Sequence, residues 1–242
     1  MPRTRAARPL AALLAILVVG WCSLRYWDSL TPQVPFHYSP TPDEHGVGDH
    51  SQRPAGSKIP LEAHIMSKCP DAQDCLRDLV LPAMQRVHDK VDFTLSFIGT
   101  PTNNDGVACM HGPQECMGNI LELCAFELYP DPKISLGFTM CITRDYEHIP
   151  ERTLIQDCAL EHAIDFQALN DCASRDDGAH GVDLLRKSVI RTKEAGVTKS
   201  CTVRLNEEIY CVRDNGEWEP CPGSPSVDSL VASIEDLYQS SA

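Results

Sequence analysis

Basic residues are scarce in most of this 242-residue chain. Beyond residue 28 it has 17 Lys and Arg against 33 Asp and Glu, and the whole chain carries a formal charge of −13. Such an acidic surface repels a phosphate backbone, so we expect no nucleic-acid partner. The chain has no internal repeat, and its length allows one sizeable domain with appendages rather than two full domains.

Cysteine is abundant, with 12 residues in the chain. A cysteine-rich chain either binds metal in a reducing compartment or forms disulfides in an oxidising one. The N-terminus distinguishes the two cases, because Arg3, Arg5 and Arg8 precede an apolar run at 9–24. A positive segment followed by an apolar segment is typical of a secretory signal. We therefore expect a disulfide-bonded protein of the secretory pathway.

The apolar run at 9–24 is about 16 residues long, slightly shorter than the ~17–25 residues that span a bilayer. Arginines precede it and aromatic residues follow it, as at a membrane anchor. We expect a retained signal-anchor with residues 1–8 in the cytosol, hence a single-pass type II membrane protein; a cleaved signal peptide is the alternative. Residues 29–58 are predicted to be a disordered, Pro-rich stalk. Its histidines, which lack the spacing of metal ligands, are His37, His45 and His50.

The rest of the chain, 59–240, predicts an α/β domain. A strand around 61–65, a helix over 71–89 kinked at Pro82, and a strand at 92–98 form a βαβ unit with a parallel sheet. A cysteine-rich, mainly helical insertion follows, and the chain then returns as a β-hairpin and an amphipathic helix. The ranges predicted for these three parts are about 101–195, 201–212 and 227–238. The order βαβ, insertion, ββα is that of the thioredoxin fold.

Cys69 lies directly after the first predicted strand and directly before the first helix. Pro70 suits the first helical position, which makes Cys69 the N-cap. A helix N-terminus carries partial positive charge and free N–H groups, which favour thiolate over thiol. Because the thiolate is the nucleophile in disulfide exchange, Cys69 is a candidate catalytic residue. The alternative is a structural half-cystine.

The next cysteine, Cys75, lies six residues further along the helix. In a continuous helix the two side chains point about 120° apart with about 9 Å of rise, whereas paired cysteines need Cα atoms within about 7 Å. Cys75 can therefore pair with Cys69 only if the helix starts later, with Asp71 as N-cap. The sequence permits both arrangements.

A cysteine-rich motif begins at residue 109, with the pattern Cys-x-His-Gly-x-x-Glu-Cys-x-x-Asn-x-x-x-x-Cys. Its fixed positions are Cys109, His111, Gly112, Glu115, Cys116, Asn119 and Cys124. This motif resembles the signature of the gamma-interferon-inducible lysosomal thiol reductases, and the later cysteines Cys141, Cys158 and Cys172 also resemble the arrangement in that family. The resemblance covers about 59–240.

The resemblance implies a thioredoxin-like enzyme, without metal or other cofactor, that reduces protein disulfides in an acidic lumen. Its partners are disulfide-containing protein substrates and an external thiol reductant, and its location is the secretory or lysosomal lumen, a vacuole or the extracellular space. The first active-site cysteine of the family maps onto Cys69. Two departures stand out: the Cys-x-x-Cys pair is stretched to Cys69 and Cys75, and 197–202 lacks the cis-proline that thioredoxin folds place opposite the active cysteine.

We expect the six insertion cysteines to form three disulfides: Cys109, Cys116, Cys124, Cys141, Cys158 and Cys172. Five cysteines of the domain remain, of which one stays unpaired. Cys75 is the favoured partner of Cys69, with Cys201 as the alternative resolving residue. Cys201 can pair with Cys211 across the hairpin; if Cys201 instead serves Cys69, Cys211 pairs with Cys221.

Two other functions compete with the reductase. One is a catalytically silent, disulfide-rich binding or structural protein that kept the fold and lost the redox pair. The other is a secreted metal-binding module built on Cys109, His111, Cys116 and Cys124, which an oxidising lumen disfavours. We expect His111 to be a hydrogen-bonded structural residue rather than an acid–base group.

Overall fold

The computed structural model describes residues 57–240. The predicted cytosolic tail, the signal-anchor and the stalk with His37, His45 and His50 therefore lie outside the described residues, apart from the stalk's last two positions. Within 57–240, no helix combines the length and the apolar character needed to cross a bilayer.

The domain opens with the predicted βαβ unit. Strands β1 (Ile59–Ile65) and β2 (Val91–Phe97) are parallel and in register along their full length. Between them lie α1 (Pro70–Cys75), a π-helical turn (Leu76–Val80) and α2 (Leu81–Val87). The π turn comes just before Pro82, which lacks an N–H and whose ring crowds the carbonyl four residues earlier. The break predicted at the proline thus falls one turn before it.

The insertion is mainly helical, as predicted. It starts with a short antiparallel pair, β3 (Thr100–Pro101) and β4 (Val107–Ala108). Five α-helices follow in the described chain: α3 (Pro113–Leu128), α4 (Pro132–Thr143), α5 (Arg152–Glu161), α6 (Phe166–Ser174) and α7 (Ala179–Glu194). Short 3-10 turns at Tyr146–His148 and Arg175–Gly178 precede α5 and α7.

The chain then returns to the sheet as the predicted hairpin and final helix. Strands β5 (Thr202–Leu205), β6 (Glu208–Asp214) and β7 (Glu217–Trp218) are followed by α8 (Val227–Ser240). The sheet order is β2-β1-β5-β6-β7, with only the β1–β2 pair parallel. This βαβ, insertion, ββα arrangement is the one predicted from the sequence, and it brings the start of α1 beside the start of β5.

The core continues from the sheet into the insertion. Leu61, Ile65 and Phe97 on the strands and Leu76 and Leu79 on the first helical segment are fully buried. In the insertion the fully buried large side chains include Leu136, Phe138, Ile142, Ile155 and Leu169. Burial of such side chains stabilises each by about 1.5–3 kcal/mol relative to exposure.

Candidate active site around Cys69

Cys69 is the free cysteine of the described residues. It occupies the N-cap of α1 in an extended conformation, followed by Pro70 in the first turn. Its carbonyl accepts hydrogen bonds from the N–H groups of Ala72 and Gln73. The thiol is 8 % exposed and donates to the Ser200 carbonyl, with Sγ and O 3.7 Å apart. Cys69 thus lies at the N-cap that the sequence predicts, and it is buried apart from that small exposed fraction.

Cys75 is bonded to Cys201, and their Cα atoms lie 6.2 Å apart. The predicted Cys69–Cys75 pair is therefore not formed in this structure, and the alternative Cys69–Cys201 pair is not formed either. The helix begins at Pro70 rather than with Asp71 as its N-cap, so Cys75 points away from Cys69. Both bonded cysteines are fully buried.

Ala72 occupies the position where a Cys-x-x-Cys motif has its second cysteine. Its side chain is fully buried. Sequence reasoning treated the motif as a stretched pair and missed that the resolving position is filled by an apolar residue. The helical spacing indicated that Cys75 does not occupy the resolving position, because it placed the side chain of Cys75 about 120° away from that of Cys69.

The loop before β5 is held against Cys69 from two sides. The Met66 N–H donates to Ser200 Oγ at 2.8 Å, and Cys201 exchanges backbone hydrogen bonds with Arg213 at 3.0 and 2.8 Å. The peptide between Ser200 and Cys201 is cis. This peptide lies where the sequence analysis looked for a cis-proline, and it presents the Ser200 carbonyl to the thiol of Cys69.

Lys68 joins the loop between β1 and α1 to the insertion. Its ammonium donates to the carbonyls of Glu147 and Ile149 at 2.6 and 2.7 Å. The positive charge next to Cys69 is therefore held by backbone carbonyls of the insertion.

Two acids near the start of α1 are compensated by one arginine. The Arg213 guanidinium donates to Asp74 at 2.9 Å and lies 3.8 Å from Asp71, which also accepts the Gly216 N–H at 2.8 Å. The same guanidinium stacks on the ring of Trp218, 5.5 Å from its centroid. The positive charge of Arg213 thus offsets the negative charge of the two carboxylates near the start of α1.

The motif at 109–124 supports the loop that precedes Cys69. Asn119 Oδ1 accepts the Ser67 N–H at 3.1 Å, and the Ser67 hydroxyl donates to the Glu115 carbonyl at 3.3 Å. A Cβ at Gly118 would lie 2.4 Å from Ile149 and 2.7 Å from Ser67, so the close approach requires glycine. These three positions of the motif therefore contact the loop that precedes Cys69.

His111 is hydrogen-bonded within the motif. Its backbone N–H donates to Glu115 Oε1 at 3.3 Å, and its ring Nδ1 contacts Glu115 Oε2. The Glu115 side chain is fully buried. Gly112, with φ 82°, turns the chain into α3 between them.

The remaining cysteines of the domain are bonded in the structure. The pairs are Cys109–Cys116, Cys124–Cys172, Cys141–Cys158 and Cys211–Cys221, with Cα separations of 5.6, 5.9, 5.6 and 4.8 Å. A zinc site uses cysteine thiolates as ligands. In this structure the sulfur atoms of the candidate ligands are instead bonded in disulfides, at Cys109, Cys116 and Cys124.

Two titratable groups are buried away from Cys69. Glu122 on α3 is fully buried facing Thr139 on α4, and burial raises the pKa of its carboxyl well above the usual range. His64 on β1 is buried between Glu62 and Thr192, at 2.9 Å from each, and burial lowers its pKa. Sequence reasoning identified neither.

Comparisons with known proteins point to one family. The sequence model of "Gamma interferon inducible lysosomal thiol reductase (GILT)" matches residues 60–162. "GILT-like protein 1" of Drosophila melanogaster is 26% identical over 172 residues, covering 64% of this chain and 68% of the relative. "Gamma-interferon-responsive lysosomal thiol protein" of Arabidopsis thaliana is 26% identical over 191 residues, covering 75% and 72%.

The fold also has a solved relative. The thiol-disulfide exchange protein alpha-DsbA2 from Wolbachia pipientis aligns with a TM-score of 0.51 and 13% identity, over 78% of this chain and 88% of that one. This likeness shows that the chain has the thioredoxin-like fold with a helical insertion.

Proposed function

We propose that this chain, which is similar to the gamma interferon inducible lysosomal thiol reductases, reduces protein disulfides with Cys69 as the attacking thiol. The observation that carries the proposal is the position of Cys69. It is the free cysteine among the described residues, and it lies at the N-cap that follows β1. The start of a helix carries partial positive charge, which favours the thiolate form that disulfide exchange requires.

In the first step, the Cys69 thiolate attacks one sulfur of a substrate disulfide. A bond forms between Cys69 Sγ and that sulfur, the substrate S–S bond breaks, and the other substrate sulfur leaves as a thiolate that takes up a proton. Apart from Cys69, the described domain has no free thiol.

We propose that a small external thiol completes the cycle. It attacks Cys69 Sγ, releases the second substrate thiol and leaves a mixed disulfide with Cys69. A second molecule of the same thiol attacks that bond at the small-molecule sulfur and frees Cys69. The substrate gains two electrons and two protons, and two external thiols lose them as they become one disulfide.

Cys75 has a different role in this scheme from the resolving role expected of it. We propose that its bond to Cys201 fixes α1 against the loop that presents Ser200. Full burial of both sulfur-bearing residues keeps external thiols away from the bond.

The second candidate function is a silent, disulfide-rich binding protein. Ala72 favours it, because an apolar residue stands where the family pattern has its second cysteine. A protein of this kind keeps the disulfides and the fold, and it shows no thiol-dependent turnover.

The compartment we propose is an acidic lumen of the secretory or lysosomal pathway, with 9–24 as a retained signal-anchor. The support is the arginine-flanked apolar run at the N-terminus. Full-length protein should remain with membranes after alkaline extraction. A soluble product with a new N-terminus near residue 21 would show instead that the run is cleaved.

The reductase proposal is tested by Cys69→Ser. We expect this variant to lose reduction of a denatured disulfide protein, measured with a small thiol as reductant, because serine cannot form the mixed disulfide. The matched control is Cys211→Ser with Cys221→Ser, which removes a disulfide outside the site and should leave turnover. Undiminished activity of Cys69→Ser would refute the proposal.

A further inference from the structure

A groove of about 540 Å³ opens on the insertion between α3, α5, α6 and the turn before α7. Its volume is within the range of sites that bind organic ligands, about 300–1,000 Å³. The apolar part of its wall includes Met117, Leu121, Pro150, Ile155 and Phe166. The polar part includes Arg152, Asn170 and Asp177.

The groove adjoins the loop that carries Cys69. Met117 is next in the chain to Gly118, whose Cα packs closely against Ser67. On the other side, Pro150 follows Ile149, whose carbonyl accepts from Lys68 at 2.7 Å. The lining residues Met117 and Pro150 are thus chain neighbours of Gly118 and Ile149. These two in turn contact Ser67 and Lys68, the two positions before Cys69.

The walls suit varied apolar side chains rather than one rigid ligand. Met117 is 43 % exposed, and a methionine side chain adapts its shape to what it contacts. Flexible methionine surfaces are typical of proteins that bind many sequences. Arg152 stacks on Phe166, 5.1 Å from the ring centroid, and its Nε donates to Gln156 Oε1 at 3.3 Å. Its guanidinium has further N–H groups that can donate to backbone carbonyls.

We infer that this groove binds the apolar polypeptide segment next to the disulfide of a protein substrate. The inference rests on the proposed function, because the occupant is the chain whose sulfur meets Cys69. A substrate disulfide at Cys69 carries its flanking chain past the β1–α1 loop, which is contacted by Gly118 and Ile149, the chain neighbours of the lining residues Met117 and Pro150. A small disulfide has no such chain and does not reach the groove.

The test compares two substrates in the full-length protein. Met117→Glu places a charge in the groove at a partly exposed position. We expect the ratio of KM for a denatured disulfide protein to KM for a small organic disulfide to rise about tenfold, as for one lost apolar contact. Leu160→Glu is the control, because Leu160 is apolar, 82 % exposed and not part of the groove lining; its ratio should equal that of the wild type.

An unchanged ratio for Met117→Glu overturns the inference, and so does an equal rise in KM for both substrates. Met117→Gln, which adds no charge, gives the second measurement if the glutamate variant does not fold, and a smaller rise in the same ratio is expected. Failure of the proposed function has a different signature, since the wild type would then turn over neither substrate.

Discussion

The three disulfides of the helical insertion and the disulfide beside Cys69 differ in what they join. The insertion bonds connect residues 7, 17 and 48 positions apart, all within the insertion. The Cys75–Cys201 bond connects residues 126 positions apart and ties the first helix to the strand that follows the insertion. The insertion bonds thus hold a set of helices together, whereas Cys75–Cys201 sets the relation between the two segments that meet at the free thiol.

This difference predicts unequal losses of stability. Replacing Cys75 and Cys201 by alanine should lower the free energy of unfolding by about 4–5 kcal/mol, because the bond closes the longest loop of the domain. Replacing Cys109 and Cys116 by alanine should cost only about 2–3 kcal/mol. Denaturant unfolding of the two double variants in parallel measures both values. Equal losses, or a larger loss for the insertion pair, would contradict the comparison.

The two regions also differ in how they respond to pH. Glu122, in the insertion, has a raised pKa because it is buried. Between the unfolded pKa of about 4.3 and the raised folded value, the native state holds a proton that the unfolded state has released. The contribution of Glu122 to the free energy of unfolding therefore falls as pH rises through this window, and it is fully present in acid. His64, in strand β1 of the sheet, acts in the opposite sense, because its lowered pKa makes stability rise with pH below about 6.5.

Glu122→Gln separates the two contributions. We expect the variant to be more stable than the wild type at neutral pH and to match it in acid, because glutamine has no proton to lose. Glu194→Gln, at an exposed position of α7, is the control and should follow the wild type. Urea unfolding at a series of pH values gives the curves. If the stability curves of the wild type and of Glu122→Gln run parallel across the pH series, Glu122 does not cause the pH dependence of stability.

Much of the fold follows from local sequence patterns. The strand before Cys69, the proline at the helix start and the two runs of the hairpin each specify an element within a few residues. Cys69 at the N-cap follows from the same local information, since Pro70 fits only the first helical turn. These features depend on neighbouring residues, so a single sequence is enough to place them.

The pairing at the site depends on long-range packing, and the sequence did not determine it. Helical spacing separates Cys75 from Cys69, but only the register of β5 beside β1 brings Cys201 to Cys75. Glu122 illustrates the same limit, because the α4 residue that faces it, Thr139, is 17 positions further along the chain. The π turn before Pro82 is a third case. The proline indicates that the helix is interrupted, but it does not indicate at which residue.

The proposed reaction requires that Cys69 alternates between a free thiol and a mixed disulfide while the Cys75–Cys201 bond stays intact. The direct measurement incubates the native full-length protein with a small thiol, removes the thiol, alkylates under native conditions and maps the labelled peptides by mass spectrometry. Within 57–240 we predict label at Cys69 alone, and a stable Cys69–substrate adduct when a disulfide substrate is added without external thiol. Label at Cys75 and Cys201, or an adduct that resolves without added thiol, would contradict the account.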